Sequence, residues 1–190
     1  SEIIKTGIAN VKRLWYSICM IESGTEHWDG TRAMDFMRDD GGRVAAGFKG
    51  HAGDCVCRSV VIASGRPYAE VYTVLAKNTG AQRAGKRGKR AASARNGVNV
   101  KRKWFRDYMH ALGFKWVPTM LIGQGCKVHL LDGELPMGRL VVSVSGHYTA
   151  VIDGVIRDTS DPTRATIITE NGVSRMAHRC VYGYWQLAGA

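Results

Sequence analysis

Thiol chemistry on a carbonyl needs three residue types held together. A thiolate attacks, an imidazole shares its proton, and a carboxylate or amide orients the imidazole. The stretch Gly53-Asp54-Cys55-Val56-Cys57-Arg58-Ser59-Val60-Val61-Ile62-Ala63 offers the first. It puts Cys55 after a small flexible turn and at the first turn of an apolar helix. Backbone N–H groups at a helix start favour negative charge, so a thiol there leans toward thiolate. Cys57 falls about 200° further round the helix and reads as packing.

Six histidines are available: His27, His51, His110, His129, His147 and His178. A hairpin separates them. Asp153-Gly154 is a strong two-residue turn signal between 147–152 and 155–159. With that turn, Ile152 faces Val155, Thr149 faces Asp158 and His147 faces Ser160. His147, Thr149 and Asp158 then share one face of the sheet. His147 and Asp158 become diagonal neighbours about 7–8 Å apart at the backbone, within side-chain reach. Asp161 falls on the other face, opposite Gly146, and Asp153 lies in the turn itself. A slip of one residue would break the pairing. His110 lies beside a helical stripe and reads as structural. His51 and Asp54, close to Cys55 in sequence, are candidate lining or oxyanion-site residues. Taken singly, each group has an ordinary reading: a core cysteine, a structural histidine, an aspartate in a turn or cap. The set Cys55, His147 and Asp158 is what points to catalysis.

The elements that must position these groups follow from periodicity. Ile8, Val11, Leu14, Trp15 and Ile18 recur at helical spacing. Residues 31–53 are rich in Gly, Asp and Arg, with a turn at Asp39-Asp40-Gly41-Gly42, and read as an extended approach to the cysteine. A buried helix over 55–64 stops at Gly65. Pro67 opens a second helix through Leu75, with Tyr68, Val71, Tyr72 and Leu75 as its inner stripe. A helix over 104–112 is closed by Gly113, with Phe105, Tyr108, Met109 and Leu112 inward. The period then switches to two. Strands are expected at 140–144, 147–152, 155–159, around Ile167 and Ile168, and at 180–187. Helices first and antiparallel strands second argue an α+β fold, with helices packed on one side of a sheet. One domain over 1–190 is expected, with 1–45 as an N-terminal extension and 77–103 as a basic loop.

Two blocks, Ala46-Gly47-Phe48-Lys49-Gly50-His51-Ala52-Gly53-Asp54-Cys55 and Ser145-Gly146-His147-Tyr148-Thr149-Ala150-Val151-Ile152-Asp153-Gly154, resemble the papain-like cysteine peptidase superfamily. They are most similar to its small phage- and prophage-encoded members. Arg179-Cys180-Val181-Tyr182-Gly183-Tyr184-Trp185 adds a less specific match, and together the matches cover about half the chain. The resemblance implies a papain-like arrangement with Cys55 as nucleophile, His147 as general base and acid, and Asp158 as orienter. It departs at one point. Papain-like enzymes usually place a Gln a few residues before the cysteine as an oxyanion donor, and the first Gln here is Gln82. The Cys55 N–H, with His51 or a loop N–H, would have to serve, since an ionised Asp54 only accepts.

The net charge of +11 comes from one place. Residues 77–106 hold eleven Lys/Arg and no Asp/Glu, and the 16 remaining Lys/Arg balance 16 Asp/Glu. Lys86, Arg87, Lys89, Arg90, Lys101, Arg102 and Lys103 form a candidate patch for nucleic-acid phosphates or another acidic partner. A solvated loop is the plainer reading, and a loop beside the cleft that selects acidic substrates is the third. Five cysteines, an odd number, do not read as a disulfide framework and suggest a reduced setting. Cys55-Val56-Cys57 has no second close pair at zinc spacing, so no metal is expected. No cofactor motif is present. No run has the length of a membrane span, and the first residues lack the pattern of a signal peptide. A cytoplasmic (bacterial host) or virion-associated location is expected. The functional expectation is a thiol hydrolase, a cysteine peptidase acting on a peptide or isopeptide bond of a protein or peptide substrate. The alternative is a non-enzymatic basic phage protein on the same scaffold, binding nucleic acid or a host protein.

Overall fold

In the computed structural model, which describes residues 27–28, 32–82, 92–163, 166–170 and 173–189, Asp153 and Gly154 both take positive φ (48° and 77°). That is the mirror-image turn that matches strand twist. It joins β5 (His147–Ile152) to β6 (Val155–Asp158) in the expected register, with Ile152 opposite Val155 and Ala150 opposite Arg157. Asp153 also accepts a hydrogen bond from the Gly138 N–H at 3.1 Å and donates its own N–H to the Gly138 carbonyl at 2.9 Å. The turn is thereby tied to the start of β4 (Arg139–Val144).

The fold is mixed α+β. Among the described residues are three helices and a six-stranded sheet of order β2-β6-β5-β4-β9-β3, where β2 is Asp35–Arg38, β3 is Phe114–Pro118 and β9 is Val181–Leu187. The chain divides into two compact units, 32–166 with 178–190 and 1–31 with 167–177. The smaller unit carries β1 (His27–Trp28), β7 (Thr166–Glu170) from its second residue on, and β8 (Val173–Ala177), in the order β1-β8-β7 with β1 parallel to β8. The strand expected around Ile167 and Ile168 is β7. The helical periodicity of Ile8 to Ile18 lies outside the described residues.

Two edge strands correct the sequence reading. Residues 35–38 are not merely an approach segment: β2 pairs in parallel with β6, from Asp35 opposite Val155 to Arg38 opposite Asp158. The sheet is therefore mixed rather than antiparallel throughout. All four β2 residues are exposed, so no alternation marks the strand in sequence. At the other edge β3 pairs antiparallel with β9. Its Lys115 and terminal Pro118 suit an edge, where ladder donors are dispensable.

Helix α1 (Cys55–Ser64) is apolar nearly all round and buried nearly all round. Val56, Val60, Val61 and Ile62 are β-branched and weak helix formers, so burial rather than propensity holds it. Each such fully buried side chain contributes roughly 2 kcal/mol. Gly65 closes it in the left-handed region (φ 71°), donating to the Val61 carbonyl at 2.8 Å. Arg139 donates from Nε to the Ala63 carbonyl at 2.6 Å and from Nη2 to the Ile62 carbonyl at 2.7 Å. A cation thus caps the helix C-terminus and ties it to β4. Helix α2 (Tyr68–Gly80) starts after Pro67 as expected and runs past Leu75 into the basic segment. Helix α3 (Lys103–Ala111) buries Phe105 and Met109, while Tyr108 and Leu112 are only half-buried.

The sheet is covered on both faces. Val141, Ala150, Ile152 and Trp185 pack with the helices. Leu140, Val142, Val144, Val151, Ile156 and Val181 pack with Met34, Leu130 and Leu135 on the other face. This explains why 140–142 reads as a continuous apolar run rather than an alternation.

Cys126 and Cys180 form a disulfide, which corrects the reading of the cysteines as unpaired. They are 54 residues apart in sequence. Leu130 N–H bonds to the Arg179 carbonyl and Val181 N–H to the Val128 carbonyl, and this pairing brings the thiols together. Spacing alone carries no trace of it. Among the described residues, no helix is long and apolar enough to cross a membrane.

Candidate active site

Cys55 is the first residue of α1, where backbone donors lack intrahelical partners. Its neighbour Asp54 is fully buried beneath it. The Asp54 carboxylate pairs with Arg43 Nε at 3.0 Å and with Arg58 Nη1, and it accepts the Tyr68 hydroxyl. Arg43 in turn donates to the Phe48 and Lys49 carbonyls at 3.0 and 3.2 Å. The 43–54 segment, α1 and α2 therefore meet on one carboxylate. Two guanidiniums against one carboxylate leave a positive charge beside the start of α1.

Across from Cys55 stands His147, the first residue of β5. Its Nε2 is 2.7 Å from Asp158 Oδ2. Cys55 and His147 line the same cleft, and the hydrogen bond and charge of His147 favour the Cys55 anion. Asp158, the last residue of β6, is held from several directions. The Thr159 N–H donates to its Oδ1 at 2.7 Å. Its backbone is braced by β2, with Arg38 opposite and the Asp39 N–H donating to its carbonyl at 2.9 Å. The segment read as an extension thus positions the acid.

The electrostatics follow. Burial alone would raise the Cys55 pKa. The hydrogen bond to His147, the Tyr148 backbone N–H and the charges of His147 and Arg58 outweigh it, so the thiol is lowered. Burial would lower His147, but the hydrogen bonds and charges of Asp158 and Cys55 push it up to about 9. Asp158 is held below the ordinary carboxylate range: burial opposes ionisation, and His147 more than compensates. All three shifts favour the charged forms, a thiolate, an imidazolium and a carboxylate.

The thiol opens onto a cleft of about 710 Å³. Gly53, Val98, Val100, Trp116, Tyr182 and Trp185 wall it, with Lys101 and Arg106 at its side. His51 and Asp54 are not among the lining residues, which corrects their assignment to the site. His51 is exposed and offers its carbonyl to Arg95 Nη2 at 3.0 Å, while Asp54 is spent on the arginines and Tyr68. His110 is structural as expected, its Nδ1 3.1 Å from the Phe114 carbonyl and its ring against Trp185. Cys57 is completely buried and its pKa is pushed up to about 12, chiefly by that burial and then by Asp54.

The basic patch splits. Lys86, Arg87, Lys89 and Arg90 lie outside the described residues. Arg102 precedes α3, Lys103 pairs with Asp107 at 2.8 Å in solvent, and of the described members of the set Lys101 alone lines the cleft. Sequence reasoning missed Arg106 and the aromatic wall. The signal for Trp116 was the run Phe114-Lys115-Trp116-Val117 after Gly113, a short segment rich in strand formers. Among the described residues no cluster of three His, Cys, Asp or Glu is placed to hold a metal ion. No family model, curated protein or solved structure matches the chain.

Proposed function

We propose that the protein is a thiol hydrolase that cleaves a peptide or isopeptide bond through Cys55, His147 and Asp158. The observation that carries this reading is that an imidazole hydrogen-bonded to a buried carboxylate shares the wall of an open cleft with a helix-start thiol whose anion it favours. A helix-start nucleophile opposite a histidine on a sheet is what the papain-like resemblance implies, and a phage-encoded origin belongs to the same proposal.

The steps follow from the protonation states. The Cys55 thiolate attacks the substrate carbonyl and the C=O electrons move to oxygen. The Cys55 N–H, an uncommitted helix-start donor, is the available backbone stabiliser of that oxyanion. The C–N bond then breaks as the His147 imidazolium gives its proton to the leaving amine, which leaves a thioester on Cys55. Neutral His147 next takes a proton from water, the hydroxide attacks the thioester, and the acid product leaves with the thiolate restored. Asp158 keeps the ring oriented and stabilises its cation throughout.

The test is the pH dependence of Cys55 alkylation by iodoacetamide, followed by peptide mapping. Cys55 is expected to react at pH 6 faster than a free cysteine, because its thiol is lowered. His147 is raised, so the ion pair persists through neutrality and is lost as pH climbs through about 9. Hydrolysis should fall over that same alkaline limb. Cys55 reactivity at pH 6 no greater than that of a free cysteine overturns the reading.

A further inference from the structure

We propose that Lys101 and Arg106 form an anion-recognising wall of the Cys55 cleft, so that the peptide accepted there carries a carboxylate side chain close to the bond cleaved. This rests on the thiol-hydrolase reading of the same cleft and names its substrate class.

Two cations at the cleft stand without an ion pair among the described residues. Lys101 lies in the turn before α3, and Arg106 lies on the helix one residue beyond the inward Phe105. Both line the cleft, and among the described residues no Asp or Glu lines it with them. Neither head group has a carboxylate partner among the described residues. Lys103, on the same helix, does have one: its ammonium is taken by Asp107. A single helix therefore carries a satisfied cation in open solvent and an unsatisfied one beside the nucleophile.

The reacting groups do not cancel this charge, since the Cys55 thiolate and the His147 imidazolium neutralise each other. The remaining described wall is mostly apolar or aromatic, with Val98, Val100, Trp116, Tyr182 and Trp185, and Ser143 adds a hydroxyl. Low-dielectric walls around one sign of charge focus the field on an entering ligand. A Glu or Asp side chain supplies the missing anion, and a Lys or Arg side chain in the same place meets like charge without a partner. Trp116 and Tyr182 could also stack nucleic-acid bases. A peptide is favoured because the two cations share their cavity with a thiol poised for a carbonyl, which a phosphodiester backbone lacks.

The test compares two reagents of nearly equal size, iodoacetate and iodoacetamide, at pH 6, with each Cys55 rate normalised to free cysteine. The wild-type protein should favour the anionic reagent. Lys101→Gln with Arg106→Gln should lower that preference about fivefold, the size expected of two partly screened charges, and leave the iodoacetamide rate within about twofold. Added salt should erode the preference in the wild type alone. Both side chains are exposed, so folding is expected to survive, and Lys101→Arg with Arg106→Lys should restore the preference. Two acyloxymethyl ketone peptides differing by one Glu or Gln should show the same contrast, the Glu form labelling Cys55 faster only when the cations are present. Selective Cys55 labelling whose reagent preference ignores the double substitution overturns this inference and leaves the hydrolase standing. A Cys55 unreactive to both reagents overturns both. Protection of Cys55 by a fifteen-residue oligothymidylate, but not by the Glu peptide, assigns the cations to nucleic acid and also overturns the inference.

Discussion

Cys55 and Cys57 sit two residues apart on one helix and belong to different regions of the molecule. The first faces the cleft, where His147, the Tyr148 N–H and Arg58 all favour its anion. The second faces the core, where burial pushes its pKa up to about 12. Residue type and helix are the same for both. The difference teaches that a nucleophile is made by what surrounds the sulfur, and that 200° of helical rotation is enough to unmake it.

The contrast can be broken from its strongest side first. His147→Ala removes the proton partner and the hydrogen bond together. Hydrolysis should fall by roughly a thousandfold or more, as triad removals do. Cys55 labelling at pH 6 should drop to that of an ordinary thiol, while Cys57 stays unlabelled in the folded protein. Mass spectrometry after timed alkylation reads both sites at once.

Asp54→Asn strikes beneath both regions. It leaves Arg43 and Arg58 buried without their carboxylate, and breaking a buried pair costs about 3–5 kcal/mol. The urea midpoint should fall accordingly. An unchanged midpoint would show that the carboxylate does not hold α1 to the 43–49 turn.

Gly183→Ala tests the cleft face. A Cβ there would come 2.4 Å from Trp116 Cζ2, and φ is 155°. Trp116 must shift, at a cost of about 1–3 kcal/mol. KM should rise more than kcat falls, because the indole lines the cleft but does not touch the sulfur chemistry. Steady-state kinetics on one peptide substrate separates the two.

Cys57→Ala is the smallest change and sharpens the core side. It removes one buried sulfur and should cost about 1 kcal/mol in chemical denaturation. The labelling rate of Cys55 should not move. A fall in that rate would mean that the two sulfurs are coupled.

Much of this was legible in the sequence because it is local. The Asp153-Gly154 turn sets a register, and the register places His147 near Asp158 without any knowledge of the rest. The apolar run after Cys55, ending at Gly65, sets α1 in the same way. The unread parts depend on partners far along the chain. β2 has four exposed residues and no alternation, and only its pairing with β6 makes it a strand. Asp54 looked like a neighbour of the nucleophile and is instead a buried counter-ion, because Arg43 and Tyr68 arrive from either side. Cys126 and Cys180 meet only when 128–130 pairs alongside the start of β9.

The sequence by itself determined the helix that starts at Cys55, the hairpin that carries His147 and Asp158, and the concentration of positive charge in 77–106. Turn chemistry and hydrophobic period act over a few residues, so the chain states them directly. The tertiary structure alone decided that the thiol and the imidazole line one cleft, that β2 braces the acid, and that Lys101 and Arg106 share the cleft with Cys55 while Lys103 does not. Those relations join segments dozens of residues apart, and they exist only once the two faces of the sheet are buried.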